Sequence, residues 1–596
     1  MSNHPAYPRA LRWLPWVAIT ALLVVRLCHE WFGPDIWYHL ALGERIARAG
    51  VAQPADNLML QQPGFVNFYW LFQLLVRGVF ALGGMFTVSA LFIVVWLAAF
   101  AVWLCTTGAF RAPPWGSAVG LAAVLICQTR FEERPEIFSY LFLAIQVGWL
   151  ANWKLDAPVR PRALAGFTLV QILWSNMHGY FVLGPLLVAA KIVSIAIDTR
   201  RAEWPRIAAA WRGLSLLATL TIGASLASPF GLHNWSGVLT LWKFFGAMRH
   251  EVQEFLPPTG AFFALSTTKL FWLGWAASLL AALWTLLFAA RRETFAILLA
   301  AAGLWLSATS FRSIPLLVFF SAPLAGIILR QLAAARPFEQ LFSTVISVLA
   351  LGLVTLAIAN PFGPSSFGIR ESSVASPVRF ADYLRAHGFR GTLFNHPTDG
   401  GYLEFHFPAQ RLYGDSRYVE AEPIHEYFAA LHRPDAFRAL DGKYHFDAAL
   451  FKLTESRAVL VSLVNDPHWR IAHADLQRVL LANTARPGGS ATVSEPAAFY
   501  HGEDLSVSAN REAALQWAGF FAEANHPDDL LRFLTALDTA PRIPAPVLEV
   551  ALRYGLAIRH AQILALARSL RPKMFAASLG DAAVIDRLLA QAAVTP

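Results

Sequence analysis

At 596 residues, 56% hydrophobic and only 15% charged, with 44 Phe and 21 Trp, the chain is too apolar for a soluble enzyme. Apolar runs of about twenty residues recur, the length that crosses roughly 30 Å of hydrocarbon, so the class is a polytopic membrane protein. The formal charge of +9 does not point to nucleic acid, because no basic face or recognition motif accompanies it and cytoplasmic loops of membrane proteins collect Lys and Arg.

The elements follow in chain order. Arg9 and Arg12 precede an apolar run from Trp13, and no small-residue cleavage site follows, so an uncleaved first span of about 13–30 is expected to lead outward from the cytoplasm. Residues 33–83 form an external segment with amphipathic pieces at Ile36–Ala49 and Phe68–Leu82, suited to lying at the interface. Spans are then expected at about 84–109, 115–130, 136–153, 163–176, 181–197 and 208–227. A second external segment, 229–265, is followed by spans at about 268–290, 293–310, 313–330 and 339–360. These eleven spans leave the C-terminal region outside.

The topology has an internal check. Each loop placed in the cytoplasm, near Arg111, 154–162, Arg200–Arg206, Arg291 and Arg330–Arg336, carries Arg or Lys, whereas the turns mixing acid, His, Asn and Arg fall on the other face. Polar groups are costly near hydrocarbon, so their gathering on one face implies a wet external cavity. The cysteines Cys28, Cys105 and Cys127 lie in or beside apolar runs and indicate neither a disulfide framework nor a thiolate metal site.

The transmembrane domain is expected to occupy 1–364. A Pro-, Gly- and Ser-rich linker, Pro361–Ser376, leads to a small α/β domain over 365–508. Strands are expected at 391–395, 401–405, 411–413, 448–452, 458–464, 469–472 and 477–482, and helices at 376–387 and 424–439. Gly400-Gly401 and Gly414-Asp415-Ser416-Arg417 read as tight turns or substrate contacts, without the spacing of a dinucleotide site. Residues 509–596 are Ala- and Leu-rich, break near His526-Pro527, Pro541–Pro546 and Gly580, and read as helical hairpins of repeat type that could bind a protein partner.

Several motifs occupy the external face: Asp35-Ile-Trp-Tyr-His39 with Gly43-Glu44, Pro54-Ala55-Asp56, Arg134-Pro135, Asn176-Met177-His178-Gly179 and Ser228-Pro229-Phe230-Gly231. With the acid in the first external loop, the amphipathic segments behind it and the terminal soluble domain, residues 1–360 resemble the GT-C superfamily of membrane glycosyltransferases. The closer resemblance is to its bacterial dolichyl-phosphate-mannose and lipid-A-modifying branches. It implies an inner-membrane enzyme that takes a sugar from a polyprenyl-phosphate donor and passes it to a hydroxyl of an envelope glycan, lipid or protein on the periplasmic face. A non-catalytic member that binds or presents a lipid-linked glycan, or assembles with envelope partners, is the alternative.

Such transfer needs a carboxylate to deprotonate or orient the acceptor and cations or a metal to stabilise the departing phosphate. The resemblance gives the first role, or that of a metal ligand, to Asp35, with Asp56 as a second carboxylate. Asp35 and His39 are four apart, on one helical face, where they could share a divalent cation; otherwise Asp35 caps the helix and His39 lies among interfacial aromatics. Asp56 also fits ordinary Pro-x-Asp-Asn turn chemistry. Arg134, followed by Pro135 at a helix start, is placed to hold phosphate, or else to pair with Glu132, Glu133 or Glu136. Arg312 ends an apolar span and either contacts donor or snorkels. Asn176 and His178 could bind sugar or acceptor hydroxyls or satisfy backbone groups, and Glu251 and Glu254 are substrate contacts or a solvated helical face.

Overall fold

The structure is a computed structural model that describes residues 12–31, 33–51, 66–153, 160–199, 208–249, 252–259, 266–288, 293–333, 339–359, 367–372, 374–408, 410–417, 421–490, 499–505, 508–575 and 579–594. Contacts divide the chain into two units that part between Glu371 and Ser372.

The first unit is helical. Its helices are α1 (Leu14–Leu27), α2 (Asp35–Ala49), α3 (Trp70–Thr107), α4 (Pro113–Cys127), α5 (Glu136–Ala151), α6 (Pro161–Ser175) and α7 (Leu183–Asp198). Then come α8 (Ala208–Ser225), α9 (His233–Ala247), α10 (Ser266–Phe288), α11 (Thr294–Thr309), α12 (Ile314–Phe320), α13 (Ala322–Leu332) and α14 (Glu339–Ala359). The helices stand where the apolar runs are, yet length and composition alone qualify four among the described residues to cross a membrane. These are within Trp70–Thr107, Gly179–Asp198, Thr268–Phe288 and Gln340–Ala359. The pair α12 and α13, bent by 49° at Ser321, makes a fifth where the sequence suggested one straight span.

Two glycines shape the packing around the first loop. The expected interfacial segment 68–82 and the span after it belong to one element, α3, interrupted at Gly83-Gly84, where Gly84 takes φ +64°. A residue with a side chain would be strained there, so the break stays at this point. A Cβ on Gly43 would stand 2.3 Å from the Gln73 carbonyl, so α2 lies on α3 at a separation only Gly permits. Before α2, the chain pairs with the end of this unit: His29 bridges Phe367, and the Trp31 N–H donates to the Arg370 carbonyl at 2.8 Å. The Trp31 indole donates to Ser89 Oγ at 2.9 Å, which anchors the approach to Asp35. Beneath the loop between α4 and α5, Trp96 packs on Phe131 and Tyr140 stacks on Phe319, so α3, α5 and α12 meet in an aromatic layer.

The second unit is α/β followed by helices. Its five-stranded sheet has the order β2-β1-β3-β5-β4, with β1 (Thr392–Asn395), β2 (Arg411–Leu412), β3 (Ala448–Lys452), β4 (Trp469–Ala474) and β5 (Arg478–Asn483). The first three strands run parallel, and β5 lies antiparallel to both β3 and β4. Two expected strands are helices. Residues 401–405 lie in the helix Pro397–His406, started by Pro397 and by the His396 ring accepting from the Thr398 N–H. Residues 458–464 lie in Arg457–Val464, whose buried Val459, Leu460 and Leu463 follow helical spacing. The expected helix 424–439 is two, Ala421–His432 and Pro434–Tyr444, parted at the residue before Pro434. Beyond residue 508 the helices Ser508–Ala524, Pro527–Leu537, Ala545–Ala557, Ala561–Leu570 and Leu579–Val594 break where the sequence breaks. A short parallel pair, Ile543–Pro544 with Met574–Phe575, joins them.

Candidate functional site

Three arginines from two distant stretches of the first unit converge on the carboxylate of Glu254. Arg130 ends the 3-10 turn Gln128–Arg130 after α4, Arg134 lies in the loop before α5, Arg312 lies in the turn Phe311–Ser313 before α12, and Glu254 lies in the turn Gln253–Phe255. The Nη1 atoms of Arg130 and Arg134 each donate to Glu254 Oε2 at 3.0 Å, and Arg312 Nη1 reaches Oε1 at 3.5 Å. One further nitrogen of each guanidinium is held by another carboxylate. Arg130 Nη2 donates to both oxygens of Glu136 at 3.0 Å, Arg312 Nη2 pairs with the same carboxylate, and Arg134 Nε faces Glu132 at 2.7 Å.

Asp35 joins this cluster through Arg134, whose Nη1 lies 3.3 Å from Asp35 Oδ2. Asp35 is the first residue of α2; the capping position is Pro34, and no side chain caps the helix there. The carboxylate therefore adds negative charge to the helix N-terminus and faces the guanidinium, rather than closing the cap. The turn of Glu254 is tied to that of Arg312 by Ser310 Oγ donating to the Glu254 carbonyl at 3.0 Å and the Phe311 N–H to the Leu256 carbonyl at 2.8 Å.

The electrostatics follow from this packing. Burial alone would raise the Glu254 carboxyl, but Arg134, Arg312 and Arg130 hold it well below the usual carboxylate range. Burial likewise opposes the Arg134 charge, while Asp35, Glu132 and Glu254 keep that guanidinium firmly protonated. Glu133 points away from the arginines, its carboxylate 4.0 Å from His29 Nε2, and burial pushes it up to about 7.

The other expected residues divide. His178 is buried at the edge of the cluster; its Nδ1 meets Ser139 Oγ at 2.9 Å and accepts from the Tyr180 N–H at 3.2 Å. Burial pushes its imidazole down to about 3, with Glu136 pulling the other way, so the ring is neutral. Asn176 is a tie between segments: its Oδ1 accepts from the Trp70 indole at 2.8 Å, and its Nδ2 donates to the Ile172 and Ala227 carbonyls at 2.7 and 2.8 Å. His39 is fully buried among Tyr38, Tyr69 and Phe72, with Nδ1 3.3 Å from Gln73 Nε2. Asp56 and Glu251 lie outside the described residues. Among the described residues no group of three or more His, Cys, Asp or Glu is placed to hold a metal ion.

Arg130, Glu132 and Glu136 complete the cluster, although none was expected to have a site role of its own. Their signal is the density of charge in Arg130-Phe-Glu-Glu-Arg-Pro-Glu136 between two apolar helices, where each charge needs a partner.

The fold is shared with solved membrane glycosyltransferases. The oligosaccharyltransferase of Archaeoglobus fulgidus in its apo form superposes with a TM-score of 0.52 at 12% identity, over 75% of this chain and 70% of that one. The archaeal oligosaccharyltransferase AglB of the same organism, in complex with an inhibitory peptide and a dolichol-phosphate, gives 0.52 at 10% identity, over 76% and 70%. ArnT from Cupriavidus metallidurans bound to undecaprenyl phosphate gives 0.47 at 14% identity, over 81% and 98%. The archaeal oligosaccharyltransferase is a GT-C membrane glycosyltransferase, and this integral membrane protein shares its fold. No family model and no curated protein sequence matches the chain.

Proposed function

We propose that this protein is a membrane glycosyltransferase that moves a sugar from a polyprenyl-phosphate-linked donor to an acceptor hydroxyl on the external face. The observation that carries this reading is the pairing of Asp35 with Arg134, whose guanidinium shares the Glu254 carboxylate with Arg130 and Arg312, in a GT-C fold. Solved proteins of similar fold were captured with a dolichol-phosphate and with undecaprenyl phosphate, and the same lipid class is the donor proposed here.

In the proposed reaction the acceptor oxygen attacks the anomeric carbon and its proton passes to the Asp35 carboxylate. The bond from that carbon to the phosphate oxygen breaks, and its electron pair leaves with the phosphate, inverting the anomeric centre. Arg134 and Arg312, with Arg130 beside them, stabilise the charge that grows on the leaving phosphate. Glu136 and Glu132 fix the forks of the guanidiniums so that little reorganisation is needed. His178, neutral and buried, lines the wall near Glu136, where its ring is placed to meet a sugar or acceptor hydroxyl. Asp56 stays in this reading as the second carboxylate of the first external segment, and a divalent cation at Asp35 and His39 as a helper.

The reading includes the topology: eleven crossings of a bacterial inner membrane, a cytoplasmic N-terminus, and residues 33–83, 229–265 and 365–596 on the periplasmic side. Its support is the separation of basic loops from mixed polar turns. The external part is divided at 365–508 and 509–596, and the helical end is the proposed contact for an envelope protein.

The test is sugar transfer by the full chain in proteoliposomes, with a panel of polyprenyl-phosphate hexoses and an envelope extract as acceptor. Wild type should release polyprenyl phosphate and Asp35→Asn should not, with both proteins folded. Equal release by the two contradicts the role of Asp35. No release by wild type from any donor favours the non-catalytic, glycan-presenting reading.

A further inference from the structure

We infer that Glu254 occupies a preformed phosphate site, and that a lipid phosphate enters by displacing its side chain. This rests on the glycosyltransferase reading for the identity of the ligand and adds a gate to that site.

Three features carry it. First, the contacts are of one kind: the Nη1 of Arg130, of Arg134 and of Arg312 all aim at the single carboxylate of Glu254. Three guanidinium nitrogens from separate turns around two oxygens are the environment of a phosphate, whose forked contacts with arginine are strong.

Second, the arginines do not depend on Glu254 for their positions. Glu136 holds Arg130 and Arg312, while Glu132 and Asp35 hold Arg134. With Glu254 withdrawn, each guanidinium keeps a carboxylate partner: Arg130 and Arg312 present a free Nη1 to the same space, and Arg134 presents the Nη1 that also faces Asp35.

Third, the charges match. The cluster holds four carboxylates, Asp35, Glu132, Glu136 and Glu254, against three guanidiniums, a balance of −1. A phosphodiester such as a polyprenyl-phosphate sugar carries one negative charge, so replacing Glu254 by donor leaves the charge of the cluster unchanged. Adding donor while Glu254 stays would put a second anion onto fully paired arginines.

Withdrawal needs only a side-chain rotation. The Glu254 side chain is 22% exposed, more than Arg130 at 4%, Arg134 at 14% or Arg312 at 16%, so it has a path toward solvent. The backbone bonds from Ser310 and Phe311 can stay in place as the carboxylate leaves. The gate also explains selectivity: a ligand must offer at least the anionic contacts of a carboxylate to enter, which neutral lipids cannot.

The test measures binding of two probes, undecaprenyl phosphate and inorganic phosphate, to the purified full chain in nanodiscs of neutral lipid. The variants are wild type, Glu254→Gln and Glu254→Asp. The amide removes the competing charge, so Glu254→Gln should bind undecaprenyl phosphate about tenfold tighter than wild type. Glu254→Asp keeps the charge but reaches less far, and should fall between; it decides the matter alone should the amide variant fail to fold. Tighter binding of both probes identifies phosphate itself as the ligand, and tighter binding of the lipid alone identifies a lipid headgroup. Wild-type affinity that is unchanged or weakened in the folded variants overturns the gate and leaves the glycosyltransferase reading standing. Failure of every variant to bind either probe overturns the phosphate site and the reading with it.

Discussion

Arg134 Nη1 lies 3.3 Å from the carboxylate of Asp35, so the first loop of the chain and the loop before α5 meet at one guanidinium. That nitrogen also donates to Glu254 at 3.0 Å, while the Nε of the same side chain faces Glu132 at 2.7 Å. In the proposed chemistry this places the carboxylate that takes the acceptor proton next to a cation that meets the leaving phosphate. Lysine cannot reproduce the arrangement, because a point charge cannot hold three carboxylates in fixed directions.

Arg134→Lys should therefore weaken donor binding by about tenfold or more although the charge is kept, and Arg312→Lys should do the same to a smaller extent. Titration of the purified variants with undecaprenyl phosphate checks this. Arg134→Met goes further, leaving carboxylates uncompensated, and should cost about 3–5 kcal/mol of stability, the range for a broken buried pair. Affinity unchanged in both lysine variants would return these arginines to a structural role.

Glu133 sets a pH dependence. Its carboxyl is raised from 4.5 to about 7 by burial, with His29 opposing. A folded-state pKa above the unfolded one means the stabilising contribution is full below pH 4.5 and is lost as pH rises through 7. Thermal unfolding of wild type should show this fall, and Glu133→Gln should flatten it across the same window. Parallel pH profiles for the two proteins would contradict the assignment.

Asp399 and Arg478 form the most enclosed ion pair described in the second unit, both side chains fully buried. Arg478 Nε and Nη2 donate to the Asp399 carboxylate at 3.0 and 2.8 Å, and Nη2 also reaches the Ala375 carbonyl at 2.8 Å. Asp399→Asn should destabilise this unit by about 3–5 kcal/mol through the uncompensated guanidinium. Hydrogen exchange of β5 in the full-length protein reads that loss, and unchanged protection would show that the pair contributes little.

The proposed topology is checked by labelling introduced cysteines in intact cells with a membrane-impermeant reagent, in a background lacking Cys28, Cys105 and Cys127. Arg48→Cys and Asp504→Cys should react from outside, and Arg111→Cys and Arg160→Cys should not. The reverse pattern would put the Asp35 cluster on the cytoplasmic face and end the proposed use of an external acceptor.

The helices of the first unit were legible because apolar length is a direct signal; α5, expected from 136, begins at Glu136. The break at Ser321 between α12 and α13 was not, because a run of apolar residues carries no mark of a bend other than Pro323. Asp35, Arg134 and Arg312 each stood out singly as charges at the ends of apolar spans, and Glu254 as one of two acids on an external segment. Their convergence did not, since Glu254 stands 120 residues from Arg134 and 58 from Arg312, and no local pattern reports contacts over such distances. In the second unit, Tyr402, Leu403 and Phe405 resemble a strand by propensity, but Pro397 and the His396 cap start a helix through them. Val459, Leu460 and Leu463 were misleading for the same reason, the β-branched residues outweighing a helical spacing that was present.

The most direct measurement is a cryo-EM map of the full chain in nanodiscs with undecaprenyl phosphate. Phosphate density is expected within hydrogen-bonding distance of Arg134, Arg130 and Arg312, with the Glu254 side chain turned away and Asp35 open toward the acceptor side. Headgroup density bound elsewhere, with Glu254 still between the three arginines, would contradict it.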